Sequence, residues 1–212
     1  MNITFLIEIV FLTIVFSHIA KKNFGVVWAY GIQSFAIVLI LFNAFLQTGS
    51  LSLLLITVLA FTVKVVLAQI FFIRLIQKHE LKFLVTTYLN MPLTLIVIGV
   101  LTSIAHSEKF ISLTSIIPAN QALSAIAFSS MFLSLFLIIN RKGALSQIIG
   151  ILSFENSIVA FAVFSGLEQS PTLQMGIIFD IFIWLIIATV FISMLYKHFG
   201  SLDVTSMTSL KE

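Results

Sequence analysis

Seven long apolar runs, separated by short polar connections, fill almost the whole chain. They lie at roughly 3–20, 26–46, 51–76, 90–106, 114–139, 144–166 and 171–196. A helix that crosses a bilayer core needs about 20 consecutive apolar residues, and each run is near that length. Residues are 60% hydrophobic and 9% charged. A soluble domain carries roughly 25% charged residues, so these proportions exclude a soluble fold. The sequence predicts an all-α polytopic membrane protein with about seven transmembrane helices in a single membrane domain, 1–212. No room remains for a water-soluble domain, and lipid is an obligatory partner.

The same composition removes several kinds of chemistry. There is no Cys, which excludes disulfides, iron–sulfur clusters and thiolate metal sites. His18, His79, His106 and His198 never fall three or four residues apart, so no metal or haem site is expected within the chain. They all lie near span ends and read as surface groups. No Walker loop and no GxGxxG pattern is present, which leaves nucleotide chemistry out. The basic residues sit at span ends, so the high pI does not point to nucleic acid. The first run carries Glu8, lacks a preceding basic residue and is followed by Lys21 and Lys22; it reads as a retained span, not a signal peptide.

Loop charges give an orientation. Lys21, Lys22, Arg74, Lys78, Lys82, Arg141 and Lys142 fall on one side, and Lys109 alone on the other. The positive-inside rule then puts the N-terminus outside and the C-terminus in the cytoplasm. The stretch 77–89 is too polar for a span and reads as an interfacial helix with Lys78 and Lys82 on one face. Pro92 is taken to begin a short fourth span, the alternative being a kink in a longer one; Pro118 and Pro171 open the fifth and seventh.

Three ionisable residues fall at mid-depth: Lys64, Glu155 and Asp180. A charge there costs at least about 2.5–3.5 kcal/mol, so each must be paired, protonated or used. Lys64 is about 18 Å from either end of its span at 1.5 Å per residue. Its stem cannot snorkel that far. It is either a structural counter-ion to an acid on another helix or a relay lysine that gives up its proton. Glu155 and Asp180 lie at matched depths in consecutive spans and could line one proton or ion path, or else donate hydrogen bonds as neutral acids. Asn156, Gln33 and Gln69 are the polar residues placed to support such a path; Ser34, Asn43, Ser129, Ser130 and Ser134 are each more simply packing glue. Glu8 lies near the outer end of its span and reads as solvated.

The last third carries a resemblance. IIGILSFENSIVAFAVFSG, PTLQMGIIFDIFIWLIIATVFISML and FGSLDVTSMTSLKE together resemble hydrogenase-4 component E, a membrane subunit of formate-hydrogenlyase-type group 4 hydrogenases. The pair Glu155–Asn156, Asp180 and Ser201-Leu202-Asp203 carry it, with YGIQSF (Tyr30 to Phe35) and the Lys64 span in support. The final three spans are similar, more distantly, to the complex I K subunit and the Mrp antiporter C subunit. The resemblance implies a four-helix extension over 1–112 and a K-subunit-like part over 113–212. It also implies residence in the cell inner membrane, antiporter-like partner subunits, and a hydrogenase-type peripheral arm that holds the nickel–iron and iron–sulfur centres, with no cofactor in this chain. Ser157 stands where those relatives often have Gly.

The expected function is therefore that of a non-catalytic membrane-arm subunit that helps couple proton or Na⁺ translocation to a redox arm. A purely structural scaffold and, below it, a stand-alone ion transporter are the alternatives.

Overall fold

The structure, a computed structural model, describes residues 2–78, 86–110, 120–167, 170, 175–179, 182, 186 and 190. Six regions are helical over long stretches: α1 (Ile3–Ile19), α2 (Asn23–Thr48), a broken helix, α5 (Met91–Ala105), α6 (Gln121–Asn140) and α7 (Ala144–Phe164). The broken helix consists of α3 (Leu51–Ala60), a π-helical turn (Phe61–Leu67) and α4 (Ala68–Lys78). Residues 175–179, 182, 186 and 190 are helical as well. Four helices are long and apolar enough to cross a membrane: Asn23–Thr48, Leu51–Gln77, Gln121–Asn140 and Ala144–Phe164. The helices Ile3–Ile19 and Met91–Ala105 are apolar but shorter.

Local chemistry sets the ends. The Asn2 side chain accepts from Thr4 N, and that of Asn90 from Leu93 N, capping donors that the first turn cannot bond. Pro92 lies in the first turn of α5, where its missing N–H leaves no bond unmade. The short fourth helix expected from sequence is thus the one observed. The expected interfacial helix over 77–89 falls largely outside the described residues. Where that stretch is described, Thr87 is bridged antiparallel to Arg141.

Helices α1, α2, α7 and α6 form a closed ring of neighbours, α1 on α2, α2 on α7, α7 on α6 and α6 back on α1. Helix α5 packs outside α6, and the broken helix packs along α2. The tightest approach in the ring is at Gly150, where an added Cβ would sit 2.8 Å from Ile138 Cγ1 and 3.2 Å from Ile138 N. Leu6, Ile7, Val10, Ile37, Leu41, Leu53, Ile56 and Leu133 belong to one buried apolar cluster, and Val26, Tyr30, Phe72, Leu75 and Ile149 to a second. Phe5, Leu12, Trp28, Ile32, Leu55 and Ile139 are more than half exposed, as lipid-facing side chains would be.

The basic connections meet at one end of the ring. Tyr88 N donates to Asn140 O and Lys142 N to Thr86 O, while the Lys142 ammonium lies 5.0 Å from the Tyr88 ring centroid. Leu89 N donates to Asn140 Oδ1 at 2.9 Å, and Asn140 Nδ2 to Thr94 Oγ1 at 3.2 Å. The end of α1 joins the same knot: Arg141 Nη2 donates to Ser17 O and, at 3.1 Å, to Ala20 O. These carbonyls belong to the last turn of α1, which has no further helical donors.

Candidate functional site

The broken helix brings Lys64 into the interior. Its sequence there, FTVKVVL, is almost continuously β-branched, and such side chains crowd the preceding turn of a regular α-helix. The chain widens instead: Ala68 N–H bonds Val63 O, five residues back. In an α-helix residues five apart point about 140° from one another. An i→i+5 turn brings them to one face. Lys64 and Gln69 therefore both face inward.

Lys64 is 2% exposed. Its Nζ lies 2.7 Å from Glu155 Oε1 and donates to Asn156 Oδ1 at 2.9 Å. Asn156 Nδ2 donates to Ser34 Oγ at 3.1 Å. One lysine thus ties α2, the broken helix and α7 at mid-depth. The contact with Glu155 is an ion pair by distance but lies off hydrogen-bonding directions. Neither carboxylate oxygen has a hydrogen-bond donor among the described residues. Glu155 is 7% exposed, so this carboxylate is buried and only half satisfied.

The supporting residues are close by. Gln33 Nε2 donates to Ser153 O at 3.4 Å, two residues before Glu155 on α7. Gln69 Nε2 donates to Val27 O at 3.0 Å, and its amide lies against Gly31, where a Cβ would come within 2.6 Å of Nε2. Gly31 is thus the opening in α2 that admits the Gln69 amide. The Tyr30 hydroxyl is buried beside Ser34, within reach of the Glu155 charge.

Glu155, Lys64, Asn156, Gln33 and Gln69 are thus gathered within a few turns of three helices. Asp180, the remaining acid of the expected path, lies outside the described residues, and with it the expected Glu155–Asp180 alignment. Ser129, Ser130 and Ser134 each donate to the carbonyl four residues back in their own helix. Ser129 Oγ also lies 3.3 Å from His106 Nδ1 at the end of α5, while Ser130 and Ser134 act as packing residues. Glu8 is exposed, as expected.

The reading of all histidines as surface groups needs correction. His18 is 2% exposed, stacks on Phe136 with ring centroids 4.9 Å apart, and has Nε2 3.0 Å from Leu133 O. It lies near the end of α1, but the ring of helices closes over it there. Sequence reasoning also missed Arg141, taken as a loop cation; it is 1% exposed. Burial pulls its pKa down to about 10, which leaves it fully charged at neutral pH. The signal for it was slight: a basic residue directly after the polar helix end at Asn140.

Among the described residues no three His, Asp or Glu side chains cluster as a metal site would require. No protein-family model, curated protein or solved structure matches the chain.

Proposed function

We propose that this chain is a membrane-arm subunit of a group 4 hydrogenase-like or complex I-like assembly, and that its mid-membrane groups take part in proton or Na⁺ translocation coupled to a redox arm. The observation that carries this reading is the Lys64–Glu155 pair, deep in an apolar ring, with a carboxylate left free of hydrogen-bond donors. Ionisable groups kept inside a membrane at such cost pair with one another and mark ion pathways and proton relays. The resemblance of the C-terminal third to hydrogenase-4 component E supplies the kind of assembly. On this reading seven helices span the cell inner membrane with the N-terminus outside. Antiporter-like subunits are neighbours, and all nickel–iron and iron–sulfur chemistry resides in partner chains. Asp180 continues the path beyond Glu155.

A second reading has its own support. Lys64 is met on one helix by both Glu155 and Asn156, the arrangement of a structural lock. On that reading the chain is a scaffold of the membrane arm.

One experiment separates them. The chain is tagged in its native host, the complex is purified, and Glu155→Gln and Asp180→Asn are compared with the parent in membrane vesicles. The translocation reading expects normal yield of complex and ion uptake reduced at least about tenfold, the scale of losing one proton-transfer group. Parent-rate uptake in both variants would sink it. The lock reading expects lost assembly, restored when Lys64→Met and Glu155→Leu are combined.

A further inference from the structure

Three buried polar groups around the Lys64–Glu155 pair are incompletely used: the Tyr30 hydroxyl, Gln69 Oε1 and the Glu155 carboxylate. Their placement along the helices is ordered. Asn23 Oδ1 and Ser146 Oγ lie 3.4 Å apart, which sets the starts of α2 and α7 at one level, the end where the basic connections meet. Counting along α2 at 1.5 Å per residue, Tyr30 is about 10 Å in and Ser34 about 16 Å. From Ser146, at that level, Glu155 is about 14 Å in along α7. Gln69 is held at the level of Val27 and Gly31 by its bond to Val27 O. Tyr30 thus sits about two residues' rise from Glu155 on its basic side, and Gln69, level with Val27 and Gly31, lies on that side too.

The other side is different. Ile37, Leu41, Leu53, Ile56, Ala60 and Val159, a turn or more beyond the pair, are all buried apolar residues. Thr57, buried among them, donates to Leu53 O of its own helix and does not extend the network around the pair.

We propose that Tyr30 is the proton-transfer group next to Glu155, assisted by Gln69, and that protons reach this centre from the end carrying the basic connections. A phenol hydroxyl can accept a proton on a lone pair as it releases its own, so Tyr30 passes a proton with no net change in itself. Ser34, four residues on and on the same face, accepts from Asn156 and keeps that amide directed at Lys64. Gln69 Oε1 offers an acceptor at the level of the phenol. Tyr30 is held edge-on to Phe72, ring centroids 6.2 Å apart, so loss of its hydroxyl leaves the ring packing in place. Val26, Val27, Phe72 and Ile149 pack with Tyr30 in one buried apolar cluster.

This inference rests on the ion-path reading above, and the test keeps the two apart. Tyr30→Phe, Gln69→Met and Glu155→Gln are compared in the purified complex, in vesicles, in H₂O and D₂O. Glu155→Gln at the parent rate removes the underlying reading, whatever Tyr30→Phe does. With Glu155→Gln inactive, Tyr30→Phe is expected to assemble normally, translocate about tenfold more slowly and slow further in D₂O, because transfer through the remaining groups becomes limiting. Tyr30→Phe at the parent rate with an unchanged isotope effect overturns the proposal. Should Tyr30→Phe fail to assemble, Gln69→Met decides: slowing with a larger isotope effect upholds the route, and parent behaviour rejects it.

Discussion

Two buried cations hold this membrane protein together, and they are met in opposite ways. Lys64, at mid-depth, faces a carboxylate and an amide on another helix. Arg141, at the basic end, is held among the described residues by backbone carbonyls of Ser17 and Ala20. The carbonyl end of a helix carries roughly half a negative charge. That is enough for a guanidinium near the end of the bundle. At mid-depth no helix end is available, and a full counter-charge has to come from a side chain. The protonation chemistry differs too. Arginine stays charged throughout the physiological range, so Arg141 can serve only as a fastener. Glu155 instead keeps Oε2 without a hydrogen-bond donor among the described residues, the oxygen that the proposed proton path would use.

The sharpest way to break this contrast is to remove one partner at each centre. Lys64→Ala or Glu155→Ala leaves a buried charge alone and is expected to cost about 3–5 kcal/mol. Combining Lys64→Met with Glu155→Leu is expected to recover most of that, since apolar replacement of a whole pair is often neutral. Thermal unfolding of the purified protein in detergent reads both; a double variant no better than the singles would mean that the pair has no mutual dependence. Arg141→Met strips donors from two carbonyls of α1 and is expected to cost about 2–4 kcal/mol, with no acid whose removal rescues it. Arg141→Lys, a point charge without the planar fork, is expected to restore only part. Full recovery with lysine would show that charge alone, without the two-carbonyl grip, fastens α1. The smallest change is expected at Ser134→Ala, about 0.6 kcal/mol or less, because that hydroxyl bonds within its own helix. A larger loss would place α6 inside the polar network instead of beside it.

How much of this could be read in advance differs between the two centres. Hydropathy gave the helices closely: α7 was expected over 144–166 and runs Ala144–Phe164. The mid-depth positions of Lys64 and Glu155 followed from counting residues, since a charge in an apolar run announces itself. Their partnership did not, because pairing between helices 90 residues apart depends on how the ring closes. Gln69, a polar residue placed to support the path, follows Lys64 by five positions. On a regular helix that spacing turns it away, and only the widened turn turns it inward. Arg141 and His18 were misjudged for a related reason. Proximity to a span end suggests solvent, yet the strand-like contact of 86–88 with 140–142 and the last turn of α1 cover that end.

The widened turn at 61–67 has a consequence for tolerated changes in chain length. A π-turn fits one more residue into a helix than the regular coil would hold. Deleting one residue there would give an unbroken α-helix that still spans the same thickness and still buries its apolar stripe on either side. Removing Val65, Val66 or Leu67 would leave Lys64 and Gln69 four apart, about 40° from one another and still on one face. Removing Phe61, Thr62 or Val63 would leave them five apart, about 140° from one another. Length and hydropathy would record the same loss in both cases, while only the second kind of deletion turned Gln69 away from the interior that Lys64 faces.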